Sequence, residues 1–370
     1  MRKSFKYRLF TNKTQESKLD KLLDSARFLY NCALEQRIIC YKQWHKSINY
    51  YDQANTLKEI RSFDEGIAQL NFSASQNLLR RLDKAFQAFF RRIKYGDTPG
   101  FPRFKGKDYF HSIIFPAYGD GIKLKDGKLY IQNVGHIRIH LHRNLEGKIK
   151  TVTIKRQNGR FYTSFSCDSV PQNVLPTSAK EIGIDVGIKS FAVMSDGQVV
   201  DNPKYLKQSE DKLVDLQRQH SIKKSKRTRK PITKLHEKIA NQRKDFQHKL
   251  SREIVNNYSH IFVEKLQPKD MVKNNFRTLN KYINDAAWTQ FFNILRYKAE
   301  DAGRAFVEVN PRGTTQTCSQ CGQFVEKKLS DRVHKCPFCG LVLDRDLNAA
   351  KNILRRGQRL GFMPEAVCFS

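Results

Sequence analysis

Along residues 181–200, EIGIDVGIKSFAVMSDGQVV, apolar and polar positions alternate. Ile182, Ile184, Val186 and Ile188 fall on one face of a strand, and Gly183, Asp185, Gly187 and Lys189 on the other. A second apolar run, Phe191 to Met194, leads into an Asp196-Gly197 hairpin signal and strand-like Gln198 to Val200. Three antiparallel strands are expected, with an acid on the first. A lone carboxylate between two glycines leaves a bare face, with room for something bulky such as a metal with a phosphate. HIFVEKLQ (260–267) reads as a short apolar strand ending in Glu264, and LDRDLNAAKNIL (343–354) puts acids at the entry of a helix. An aspartate on a polar strand face is ordinarily just solvated, and the two later acids are what give Asp185 a second reading.

Earlier in the chain, residues 2–10 alternate as a strand. Asn12 to Gln15 then read as a helix start, and Leu19, Leu22, Leu23, Ala26, Leu29 and Tyr30 keep helical spacing. Further helices are expected over Ile38 to Trp44, Gln53 to Arg61 and Ala74 to Arg92. On the last, Arg80, Arg81, Lys84, Arg91 and Arg92 surround an apolar stripe, a pattern of simple solvation or of nucleic-acid contact. GDTPGFPRFKGK (96–107) breaks the helical pattern, and Phe101 and Phe104 alternate there with Arg103, Lys105 and Lys107 like a groove lining. From His111 to Asp168 short strands follow one another. They suggest a small β-barrel whose first strand is residues 2–10, which makes the early helices an insertion. Ser169 to Lys180 reads as a linker. Residues 203–258 form a long basic helical region, in which HSIKKSKRTRKP (220–231) is a run of the kind disordered until it meets a backbone. Residues 285–302 predict an amphipathic helix capped by Gly303, and Phe306 to Val309 a strand.

Charge narrows the partners. Lys and Arg number 68 against 36 Asp and Glu, a formal net charge of +32 over 370 residues. Such an excess points to a polyanion. With 25 Phe and 14 Tyr the chain is too aromatic for a disordered basic tail. Basic and aromatic together favour nucleic acid, through phosphate contacts and base stacking; a ribosomal or membrane-surface protein is the plainer alternative. No signal core and no membrane span is legible, and a cytoplasmic protein, nucleoid-associated when bound to DNA, is expected. Of eight cysteines, Cys318, Cys321, Cys336 and Cys339 form C-x2-C-x14-C-x2-C, each pair followed by glycine, while Cys32, Cys40, Cys167 and Cys368 are scattered. That spacing suits one tetrahedral Zn²⁺ with no open position, a structural site beside which His334 is a spectator. Asp185, Glu264 and an acid of DRDL suit hydrolysis of phosphodiesters with two divalent cations, and hard, oxygen-seeking Mg²⁺ fits carboxylate ligands.

With these pieces in order, the sequence resembles the transposon-encoded TnpB family, relatives of the type V (Cas12) CRISPR effectors, along essentially its whole length. RFLYN, PGFPRFKGK, GIDVGIKSFAV, VEKL, NPRGTTQTCSQCG, CPFCG and DRDLNAAKNIL carry the likeness. The resemblance implies an α/β multidomain protein. A RuvC (RNase H-like) nuclease domain, residues 181–310 and 341–370, carries an inserted zinc ribbon, 311–340. A wedge β-barrel, 1–10 and 99–170, carries a helical recognition insertion, 11–98, and 171–180 is a linker. It also implies a Mg²⁺-dependent endonuclease, with structural Zn²⁺, that binds a guide RNA, reads a short motif beside its target DNA and leaves sequence choice to base pairing. A monomer is favoured. Its metal-binding acids fall on Asp185, Glu264 and Asp346, with Asp344 the competing third; Asp346 could instead cap its helix, a role worth about 1 kcal/mol. Arg80, Arg81, Arg103, Lys105 and Arg312 are candidate nucleic-acid contacts. Open alternatives are a nuclease-inactive guided regulator, a guide-free resolvase or transposase, and a pure binding module.

Overall fold

In the first of the chain's two compact units, residues 1–171, Phe5, Tyr7 and Leu9 alternate with exposed polar residues and make β1 (Lys3–Phe10) the middle of a sheet. The computed structural model describes residues 1–176, 178–266, 277–328 and 331–360. Cys368, the end of the expected nuclease domain and Gln267 lie outside those residues. β2 (Ser112–Phe115), β3 (Ile122–Lys125), β4 (Lys128–Ile131), β5 (Gly135–His140), β6 (Lys148–Gln157) and β7 (Arg160–Asp168) complete an antiparallel sheet of order β2-β6-β7-β1-β5-β4-β3. Among the described residues no ladder joins β2 to β3, so the sheet stays open at those edges.

Five α-helices stand between β1 and β2: α1 (Lys13–Trp44), α2 (Tyr50–Asn55), α3 (Leu57–Phe63), α4 (Glu65–Ala68) and α5 (Phe72–Lys94). Asn12 opens α1 with a capping box to Gln15. The two early helices expected from the sequence are one. Arg37 interrupts the apolar stripe but is 7% exposed, and pairs with Gln53 (2.8 Å) and Asp83 (3.1 Å), so the helix continues through it. Phe101 packs edge-on against Phe86 and Phe89 of α5.

The second unit, residues 172–370, has a five-stranded sheet of order β10-β9-β8-β11-β12. β8 (Glu181–Val186), β9 (Ser190–Met194) and β10 (Val199–Asp201) run antiparallel, as the hairpin signals predict. β11 (His260–Glu264) and β12 (Ala305–Val309) run parallel to β8. Between β10 and β11 lie α6 (Tyr205–Gln208), α7 (Glu210–Ile222) and α8 (Lys226–Asn257), and between β11 and β12 lie α9 (Arg277–Ala286) and α10 (Trp288–Asp301). The basic run at 220–231 is helical except for a break at 223–225, because Ser225 caps α8 through Thr228. The helix expected over 285–302 is broken at Ala287, whose φ of 51° is left-handed, and Gly303 (φ 67°) follows its end.

Two apolar clusters lie on opposite faces of this sheet. Ile182, Ile184, Ile261 and Val263 face α8 and α10. Phe262 and Val309 face α11 (Arg345–Arg359) through Ile353 and Leu354. Helix α11 also fills the bare strand face. A methyl group at Gly183 would sit 2.2 Å from the Ala350 carbonyl oxygen, and one at Gly357 would sit 2.0 Å from the Phe262 ring. The room left by Gly183 is therefore taken by a helix backbone and not by a metal with its phosphate. Residues 310–344 hold a small hairpin of β13 (Val333–Lys335) and β14 (Val342–Asp344). Among the described residues no helix is long and apolar enough to cross a membrane.

Candidate active site and metal centre

Period-two alternation places Asp185 on the Gly183 face of β8 and Glu264 on the Phe262 face of β11, the face that α11 covers. Both acids stand toward the carboxyl ends of adjacent parallel strands. Ile184 is level with Val263, so Asp185 and Glu264 are next in register. Asp346 occupies the first turn of α11, where a helix N-terminus favours negative charge. Three half-buried carboxylates from three elements are thus near enough for Glu264 and Asp346 to act on Asp185 through charge. Burial first, then the charges of Glu264 and Asp346, push the Asp185 carboxyl well above its usual range, and Arg345 opposes them. Burial also raises Glu264, against a hydrogen bond from Thr314 and the charge of Arg356.

Asp344 and Asp346 divide their tasks. Asp344 is the N-cap of α11, accepting from the backbone N–H of Asp346 (2.9 Å) and Leu347 (3.2 Å). Asp346 instead pairs with Arg345 Nε at 3.1 Å and acts on Asp185. The cap role that the sequence left open for Asp346 belongs to Asp344. The trio offers only carboxylate oxygens, three acids that Arg345 and Arg356 offset in part; a hard divalent cation fits such a donor set.

Among the described residues, the cysteine quartet is the group whose ligand atoms all lie within 4.8 Å of one another. Cys318 and Cys339 Sγ are 3.6 Å apart, and Cys321 and Cys336 Sγ are 3.5 Å apart. A tetrahedron with metal–sulfur bonds of about 2.3 Å has edges of about 3.8 Å, so the four sulfurs could hold one metal such as zinc. The two knuckles repeat each other. Gly322 N–H bonds Cys318 O and Gly340 N–H bonds Cys336 O, both at 3.0 Å, with φ of 80° and 73° at the glycines. His334 is buried outside this set, its Nδ1 against Lys327 Nζ.

Sequence reasoning missed a polar stripe on α11. Asn348, Asn352 and Arg356 recur every four residues and all reach the segment entering the first knuckle. Asn348 accepts from Ser319 N–H (2.9 Å) and donates to Thr317 O (2.9 Å), bracketing Cys318. Asn352 donates to Thr314 O (2.8 Å) and Thr317 O (2.6 Å), and Arg356 to the carbonyls of Asn310 and Arg312, each at 2.8 Å. The signal was the spacing itself, three polar residues on one side of a helix flanking buried Ala349, Ala350 and Ile353.

The basic candidates differ in freedom. Arg80, Arg103 and Arg312 are exposed. Arg81 is committed inside its unit, donating to Ser112 O (3.1 Å) over the Phe110 ring, and its guanidinium ties α5 to β2 instead of facing solvent. Lys105 is half-buried, and its backbone N–H bonds Asn31 at 2.8 Å.

Compared with known proteins, residues 164–275 match a family model described as "Probable transposase", 288–353 one described as "Cas12f1-like, TNB domain", and 1–46 one described as "Helix-turn-helix domain". In this chain residues 3–44 are a strand and one long helix. The chain is 30% identical to the "Putative RNA-guided DNA endonuclease InsQ" of Escherichia coli (strain K12), over 96% of this chain and 92% of that protein. It is 31% identical to a "Putative RNA-guided DNA endonuclease" of Streptomyces pristinaespiralis, over 96% and 90%. A "TnpB-like protein L79" of Acanthamoeba polyphaga mimivirus is 30% identical over 56% of this chain and 43% of its own length.

Proposed function

The chain belongs to the TnpB family of RNA-guided DNA endonucleases, and from that premise we propose that its own carboxylate trio cuts DNA chosen by a bound guide RNA. The observation that carries the catalytic part is the approach of Asp185, Glu264 and Asp346 from separate elements, with the proton affinity of Asp185 raised by burial first and then by the charges of the other two. We read the second unit as a RuvC (RNase H-like) nuclease domain interrupted by a zinc ribbon, and the first as a wedge sheet with a helical recognition insertion at 11–98.

Asp185, Glu264 and Asp346 would hold two Mg²⁺ ions, which when bound supply charge stabilisation of the attacking and leaving oxygens. The chain's own part is orientation. Thr314 fixes one Glu264 oxygen, Asp344 caps the helix that presents Asp346, and Arg345 holds Asp346 from the side. Four thiolates leave no open position on Zn²⁺, so the ribbon braces the site and takes no part in the reaction. The trio has no means of reading sequence; pairing between guide and target supplies it, beside a short motif read by the protein. Exposed Arg80, Arg103 and Arg312 are the proposed backbone contacts, and the working form is a monomer in the cytoplasm, on the nucleoid when DNA-bound.

The test is purification with the co-expressed RNA, sequencing of that RNA, and cleavage of DNA complementary to its end. Replacing the guide segment should redirect cutting with the protein unchanged, and Asp185→Asn should abolish it. RNA-free protein cutting the same site equally well would replace this reading with a guide-free nuclease.

A further inference from the structure

Thr314 is 3% exposed and stands between the two halves of the second unit's chemistry. Its Oγ1 lies within hydrogen-bond reach of Glu264 Oε1 and, at 3.0 Å, of Pro311 O. The hydroxyl has one proton, and an ionised Glu264 is the stronger acceptor of the two. The backbone carbonyl of the same residue accepts from Asn352. Asn352 and Asn348 are 4% and 0% exposed, and both donate to Thr317 O, the carbonyl just before Cys318. One buried chain of hydrogen bonds therefore runs from the first cysteine knuckle, through two asparagines of α11, to a carboxylate at the end of β11. Helix α11 carries Asp346 at its start, so the same chain fixes the helix that presents the third acid.

β12 adds the covalent reason for this arrangement. Val309 is level with Glu264, and Lys265 N–H bonds Val309 O at 2.9 Å. The segment from Asn310 to Cys318 thus leaves the sheet beside Glu264 and returns to it through the side chain of Thr314.

We propose that Thr314 is a positioning residue, which sets the orientation of Glu264 and, through Asn352 and Asn348, makes the divalent-metal affinity of the carboxylate site depend on an intact cysteine knuckle. This rests on the carboxylate-site reading above and adds a residue and a coupling that the reading does not require. Groups hydrogen-bonded to metal ligands typically change metal affinity by about 10–100-fold when removed. Thr314→Val keeps the shape and removes the donor, while Thr314→Ser keeps the donor.

The direct measurement is Mn²⁺ binding to the zinc-loaded full chain, followed by electron paramagnetic resonance, with Asp185→Asn as the blank. Thr314→Val should weaken Mn²⁺ binding about 10–100-fold, with zinc content and melting temperature unchanged, and Thr314→Ser should stay close to the parent. Single-turnover cleavage by the guide complex should fall in parallel and recover partly at raised metal. Removing zinc with a chelator, or changing Asn352→Leu, should weaken Mn²⁺ binding in the same sense. Parent-like Mn²⁺ affinity in Thr314→Val would overturn the role. So would equal losses in the valine and serine variants accompanied by loss of zinc or of melting temperature. A zinc-free chain that keeps full Mn²⁺ affinity would overturn the coupling. If the parent binds Mn²⁺ but its guide complex leaves DNA intact, the nuclease reading fails, while the Mn²⁺ affinities still decide the role of Thr314.

Discussion

Asp185 bears the tension of the site at the level of single residues. Its carboxyl is held well above the ordinary range, so over the pH interval between the unfolded and folded values the folded chain binds more protons than the unfolded one. Stability then falls as pH rises through that interval in the absence of divalent metal. Asp185→Asn removes the charge and keeps the shape. The metal-free variant should therefore melt higher than the parent near neutral pH. Mg²⁺ should raise the melting point of the parent and do little for the variant; a variant that melts lower than the parent without metal would contradict the assigned strain. Asp344 and Asp346 give a second residue-scale comparison. Asp344→Ala should cost about 0.5–2 kcal/mol as a lost cap and leave the chemistry in place, and Asp344→Asn should restore the cap. Asp346→Asn should do the reverse, abolishing cleavage at little cost in melting temperature. Cleavage lost on Asp344→Asn and kept on Asp346→Asn would exchange the two roles.

Helix α11 is where the elements meet, and two glycines let it approach the sheet. A methyl group at Gly183 meets the carbonyl of Ala350, part of a helix backbone that cannot rotate away. Gly183→Ala should then destabilise the second unit by at least about 1–3 kcal/mol, as overpacking does, and lower cleavage by displacing Asp346; denaturant melts of the full chain check it. This glycine also shows where sequence legibility ended. The alternation of Ile182, Ile184 and Val186, the DG hairpin and the cysteine spacing are local; the first two gave their strands, and the last a quartet whose sulfurs lie within 4.8 Å of one another. What fills the Gly183 face is set by a helix some 165 residues later, which periodicity within a strand cannot reveal. Arg37 misled in the same way, because its partners Gln53 and Asp83 lie on other helices and turn a charged residue into a core one. Asn348 and Asn352 looked like ordinary polar positions because their partners are backbone carbonyls, which carry no sequence signature. At the level of the ribbon, serine at any one of Cys318, Cys321, Cys336 or Cys339 should lower bound zinc below one per chain and reduce cleavage. A quadruple serine variant with full activity would remove the ribbon's bracing role.

Over the whole molecule, the formal charge of +32 and the carboxylate trio make opposite demands that can be separated experimentally. Attraction of a guide RNA draws on many Lys and Arg side chains acting at a distance, whereas the role proposed for the trio is confined to one small, half-buried place. Replacing one acid by its amide changes the net charge by one in 32, too little to alter long-range attraction, yet it removes one of the three carboxylates proposed to hold the metal. RNA affinity should therefore be the same within about twofold for the parent, Asp185→Asn, Glu264→Gln and Asp346→Asn. Counterion release fixes the form of the salt dependence. If the chain neutralises six or more phosphates of a single-stranded guide, log K should fall against log salt with a slope of about −4 or steeper. Raising salt from about 50 to about 200 mM should then cost at least about 10²-fold in affinity. Filter binding of labelled guide across a salt series measures both quantities at once. A slope shallower than about −2, or a slope that changes when a single acid is replaced, would mean that the basic excess is not what holds the RNA and that the trio lies on its binding path.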